Sequence, residues 1–109
     1  MDKITAQHLT QRAAFYEPVE ERDADGMLVQ SWLLRITCAA HVTWLRGGET
    51  VMAARMQSKN PAIITVRDFT ESRAITSEWR AEIAGKTYEI SEDPRPSQDR
   101  RLLEMLAEG

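Results

Sequence analysis

The chain has 109 residues, 42% hydrophobic and 28% charged, with a formal net charge of −3 and one cysteine. That length fits one domain with one core, and the acidic balance argues against the basic footprint of a nucleic-acid binder. A single cysteine, Cys38, allows no internal disulfide and suits a reducing cytoplasm; no apolar run approaches the ~20 residues that span a bilayer. Met1-Asp2-Lys3-Ile4 lacks the apolar stretch of a signal peptide, so a soluble, cytoplasmically made protein is expected.

In chain order, residues 1–8 read as a flexible N-terminal arm. Leu9 to Tyr16 predicts a first strand closed by Glu17-Pro18, since proline has no backbone donor to give a ladder. Residues 17–26 are acidic and turn-rich, the signature of a solvated loop. Met27 to Cys38 predicts a long half-buried strand, with Leu28, Trp32, Leu34, Ile36 and Cys38 alternating onto one face. A short strand over Ala39 to Leu45 then runs into Gly47-Gly48.

Glu49 to Ser58 loses the alternation and carries Ala, Met, Arg and Gln, which favour helix. A short helix ended by Asn60-Pro61 is predicted there. Ala62 to Phe69 returns to strand. Glu78 to Ser91 gives the clearest pattern: Trp79, Ala81 and Ile83 face one way, a turn falls at Gly85-Lys86, and Tyr88 and Ile90 continue inward, a hairpin. Asp93-Pro94-Arg95-Pro96-Ser97 is a stiff loop whose prolines are not expected in a ladder. Leu102, Leu103, Met105 and Leu106 have helical spacing. About six strands with one or two helices predict a mainly β fold, a small antiparallel barrel or sandwich. Trp32, Ile36, Trp79, Ile83, Tyr88 and Ile90 are the expected core anchors.

No catalytic or metal motif is present. His8 and His41 do not complete the four-ligand set of a zinc site; Cys38 lies three residues before His41, on the opposite face of an extended strand, and there is no second cysteine. Gly85-Lys86-Thr87 ends like a phosphate loop but has Arg80 where the first glycine belongs. Asp23-Ala24-Asp25-Gly26 opens like a calcium loop but lacks its later ligands. The residues point to neither an enzyme nor a cofactor-binding protein.

The order of the turn signals resembles the head–tail adaptor, or head-closure, proteins of long-tailed bacteriophages, found also in gene-transfer particles. The resemblance rests on Leu9-Thr10-Gln11-Arg12 with Pro18, then Asp23-Ala24-Asp25-Gly26 leading to Trp32. It continues through Gly47-Gly48-Glu49 with Ala53-Ala54 and Gln57, the run Ile64 to Arg67, and Gly85-Lys86-Thr87-Tyr88-Glu89-Ile90. One departure is Ala39-Ala40-His41-Val42 where members place Trp-Ala-x-Val; here a tryptophan follows at Trp44.

The resemblance implies one head-closure-like domain over 1–109, with an inserted loop or helix at 46–61 and a C-terminal strand rather than a helix over 101–107. It implies a structural virion connector in the neck, made in the bacterial host cytoplasm, without catalysis or cofactor. Its expected partners are further copies of itself in a ring, dodecameric by the resemblance, portal or adaptor proteins on the head side, and tail-terminator or tail proteins on the other. Double-stranded DNA would pass through without sequence-specific binding, and no membrane is involved. Arg46, Glu49, Arg55, Gln57, Lys59 and Asn60 are the candidate channel- or neighbour-facing residues. Glu20, Glu21, Arg22, Asp23 and Asp25 are the candidate inter-ring contact. The alternative function is a small barrel that binds single-stranded nucleic acid, which would need a basic groove with stacking aromatics.

Overall fold

Among the described residues, seven antiparallel strands form one sheet that returns to its first member. The computed structural model describes residues 5–45, 60–97 and 100–109. The strands are β1 (Gln11–Arg22), β2 (Leu28–Trp44), β3 (Pro61–Arg67), β4 (Arg80–Ile83), β5 (Lys86–Ile90), β6 (Arg95–Pro96) and β7 (Leu102–Glu108). Their order is β3-β2-β1-β4-β5-β7-β6, and β3 pairs with β7, so six strands close as a small barrel. Closure leaves few open edges inside the barrel itself. The helix predicted within 49–58 lies outside the described residues, which contain two short 3₁₀ turns, Ala6–His8 and Ser72–Ala74.

The inward residues alternate along each strand, as a half-buried sheet requires. Ala13, Ala40, Ala62, Ala81 and Ala107 are fully buried beside Phe15, Ile64, Ile83 and Met105. Small side chains between large ones let six strands approach around a narrow interior. Ile36, Trp79, Tyr88 and Ile90 belong to this core. Ser72 closes the β3–β4 connection: its buried hydroxyl accepts from the Phe69 N–H at 2.9 Å and lies 2.8 Å from the Arg67 carbonyl oxygen.

Several sequence expectations change here. β1 does not end at Pro18 but continues to Arg22, with Pro18 opposite Trp32. Pairing with β4 stops at Tyr16, so beyond it the second edge of β1 is open and a missing N–H costs nothing there. Glu17 to Arg22 is therefore strand, and the loop shrinks to the tip between β1 and β2. The two strands expected over 27–45 are one strand of 17 residues. Pro96, expected outside any ladder, pairs with Leu103 in the two-residue edge strand β6. Residues Leu102–Glu108 form a strand paired along all of β3, as the resemblance implied and against the helical spacing of their leucines.

The largest change concerns Trp32. Phe15 is opposite Ile36, but the next residue, Tyr16, is opposite Leu34, so Arg35 is an extra residue in β2. This bulge reverses the parity of everything before it. Ile36 and Ala40 point into the barrel, whereas Leu34, Trp32 and Leu28 lie on the outer face. Trp32 is half-buried and not part of the core cluster. Its ring instead carries the Arg80 guanidinium 4.3 Å from its centroid. Arg80 stands opposite Tyr16 on that same outer face.

The hairpin between β4 and β5 turns through Ala84 and Gly85, both at positive φ, 53° and 78°. Two consecutive positive φ values match the twist of the flanking strands and favour Asn-Gly or Gly-Gly. Ala84 is thus a strained residue in an exposed turn. Ala84→Asn is expected to raise stability by about 0.5–1 kcal/mol, read as a higher urea midpoint.

Candidate functional site

Beyond the barrel, β1 and β2 continue as a two-stranded arm. β4 leaves β1 at Tyr16, and β3 pairs with β2 only from Ala40 onward, while β1 and β2 stay paired out to Arg22 and Leu28. The six residue steps from Tyr16 to Arg22 span about 20 Å at strand rise. The molecule measures 53 × 36 × 22 Å with a radius of gyration of 15.1 Å, above the roughly 13 Å of a compact chain this long.

The tip is locally fixed. The Asp23 carboxylate accepts from the N–H groups of Asp25 and Met27, both at 2.9 Å. Gly26 sits at φ 81°, where a side chain would be strained. Arg22 donates to the Gly26 carbonyl at 2.9 Å. At the base, Arg35 donates to the Glu17 carboxylate at 2.5 Å. This exposed pair is worth no more than about 1 kcal/mol, but it ties the bulged residue to the opposite strand.

An open cleft of about 430 Å³ adjoins the base, lined by Glu17, Pro18, Arg35, Ala74 and the core residues Ile36 and Trp79. Along the arm, Met27, Leu28, Val29, Leu33 and Leu34 are 41–65% exposed. Leu28 and Leu34 are on the outer face, Val29 and Leu33 on the other. Sequence reasoning missed this surface, because the alternation placed Leu28 and Leu34 with the core. The one signal was the density of apolar residues on both faces of 27–34.

Glu20, Glu21, Arg22, Asp23 and Asp25 are brought together on the distal half of the arm, all exposed. Of the other candidate group, Arg46, Glu49, Arg55, Gln57 and Lys59 lie outside the described residues. Asn60 lies at the opposite end of the barrel, where its backbone exchanges two hydrogen bonds with Gly109, at 3.1 and 3.0 Å. That end also carries Trp44, which is 40% exposed, packs on Tyr88 at 5.6 Å and has Lys86 Nζ 4.5 Å from its ring centroid.

His8 and His41 meet edge to face with ring centroids 6.1 Å apart. Among the described residues no group of three His, Cys, Asp or Glu is placed to hold a metal ion. Burial pushes the Cys38 thiol up from its ordinary range, against a smaller downward pull from Arg12. It therefore stays protonated and a poor nucleophile at neutral pH.

The described residues thus form a small closed antiparallel sheet with a two-stranded arm at one end. The chain belongs to the phage head completion protein family, whose profile matches residues 4–109. These are structural proteins of the virion. No curated protein matches the chain. Among solved structures, the fold is similar to protein SF1141 from Shigella flexneri 2a, with a TM-score of 0.69 and 20% identity over 95% of both chains. It is also similar to a chain in the virion of a native gene transfer agent particle, with a TM-score of 0.61 and 20% identity over 89% of this chain and 90% of that one.

Proposed function

We propose that this protein completes the head as a ring between the portal or adaptor layer and the tail, holding packaged DNA and giving the tail its attachment surface. The observation that carries this reading is the two-ended architecture. The arm leaves the barrel where β4 and β3 part from β1 and β2, and the β2–β3 connection leaves and returns at the other end, between Leu45 and Asn60. A part that joins two layers needs a docking element at each end, and a ring needs heterologous contacts between copies. The similar chain in a gene transfer agent virion supports a place in a particle.

On this reading the connection over 46–60 faces the channel or a neighbouring copy, and the acidic arm faces the adjoining layer. An acidic surface near the channel also repels passing DNA phosphates, which keeps the duplex from sticking. Deleting the gene is expected to leave DNA-filled heads that leak their contents and fail to join tails, seen by electron microscopy and by nuclease sensitivity of the DNA. Empty heads from the same deletion would point to packaging instead and sink the closure role.

A further inference from the structure

The arm has a composition unlike the rest of the chain. Residues 17–35 carry five carboxylates, Glu17, Glu20, Glu21, Asp23 and Asp25, against two guanidiniums, Arg22 and Arg35. That excess of three equals the net charge of the whole chain, so the remainder is neutral overall. Two of the carboxylates are engaged: Glu17 by Arg35 and Asp23 by the N–H groups of its own tip. The carboxylates of Glu20, Glu21 and Asp25 are exposed and have no hydrogen-bond or ion-pair partner among the described residues.

Beside these charges run the exposed apolar residues of β2. They occur on both faces of the ribbon, with Leu28 and Leu34 on one and Val29 and Leu33 on the other, and Met27 at the tip is 65% exposed. Consecutive apolar residues on both faces mark a strand that is covered on both sides. A bare two-stranded ribbon in water has little stability of its own. The occupant must therefore embrace the arm rather than lie against one face.

We infer that the arm seats in a groove of a different protein, one with an apolar floor and Lys or Arg along its rim, and that it does not pack against the arms of neighbouring copies. This rests on the proposed neck role. Charge decides between the two partners. Arm against arm brings like charges together, which costs free energy at an interface, and the neutral remainder of the chain offers an arm no net attraction. A basic, apolar-floored groove complements both the carboxylates and the apolar strand.

The test uses the purified full-length protein and two probes taken separately from a lysate of the deletion strain, DNA-filled heads and free tails. One variant is Glu20→Lys with Glu21→Lys and Asp25→Lys; the second is Leu28→Asp with Leu34→Asp. All these positions are exposed, so the barrel keeps its core. Each variant is expected to lose at least about tenfold in binding to one probe while binding the other as the wild type does. The charge reversal should matter at low salt and fade at high salt, since exposed charges are screened, and the mass of the free protein by sedimentation should not change. Loss of binding to both probes, or to neither, overturns the inference. So does a fall in mass for Leu28→Asp with Leu34→Asp, which would assign the arm to contact between copies. Failure of the wild-type protein to bind either probe would remove the neck role itself.

Discussion

Phe15→Ala is expected to cost about 3–5 kcal/mol, the range for truncating a buried phenylalanine. Phe15 is fully buried and faces Ile36 across one ladder and Ala81 across the other. It sits in the last closed layer of the barrel before the bulge, where β1 still has a neighbour on each side. Ala81 leaves no side chain on that side to move into the cavity, so relaxation should be small. Domains of this size are stable by roughly 5–15 kcal/mol, so the loss is a large part of the whole. Urea denaturation should show a lower midpoint with an unchanged slope. Leu28→Ala supplies the contrast: Leu28 is 60% exposed, and its truncation should change stability by no more than about 0.5 kcal/mol. Equal losses at the two positions would mean that the barrel, as drawn from Phe15 outward, is not where the stability resides.

Deleting Arg35 is expected to leave the barrel standing and disable the arm. Without it, Phe15 opposite Ile36 and Tyr16 opposite Leu34 become neighbours in an unbroken ladder, and every side chain keeps its face. What disappears is the local bend and extra twist that a bulge imposes, together with the exposed ion pair to Glu17. Stability should shift by about 1 kcal/mol or less. The tip lies about 20 Å from the bulge at strand rise, so a modest change of angle moves it by several Å, beyond the reach of its former contacts. Completion of heads by the added protein should fall by more than about tenfold, the equivalent of losing 1.4 kcal/mol of docking free energy. Arg35→Ala, which keeps the bulge and loses the ion pair, should retain completion. If the deletion variant completes heads as well as the wild type does, the aim of the arm has no part in its function.

Much of the barrel was legible in the sequence. Trp79, Ala81, Ile83, Tyr88 and Ile90 alternate cleanly, and the turn expected at Gly85-Lys86 falls one residue earlier, at Ala84-Gly85, because Lys86 pairs with Ile83. Ile64 and Val66 point inward in β3, as a strand over 62–69 required. The order of turn signals, from Asp23 to Gly26 and then to Gly85, was enough to suggest the family that the profile over 4–109 identifies. The arm was half legible. Its acidic residues stand out in the sequence as a contact candidate, but Pro18 reads as a strand end and 17–26 as a loop. That inference fails where the proline's edge has no neighbour to pair with.

The alternation within each strand, the turn chemistry and the acidic segment ahead of Trp32 can be read from the residues alone. These depend on a few adjacent residues: period-two burial, left-handed turn positions and local charge. Three other features come from the pairing between strands. Leu102–Glu108 is a strand because β3 pairs with its full length; taken alone, Leu103, Met105 and Ala107 suit period two as well as their neighbours suit a helix. Leu28–Trp44 is one strand because β1 and β3 together support it along 17 residues. Trp32 and Ile36 face opposite ways because one residue, Arg35, is left over when β2 is paired against β1. Register is a property of two strands at once, and a shift of one residue exchanges the faces. No pattern within β2 could therefore tell the core side of Ile36 from the outer side of Trp32.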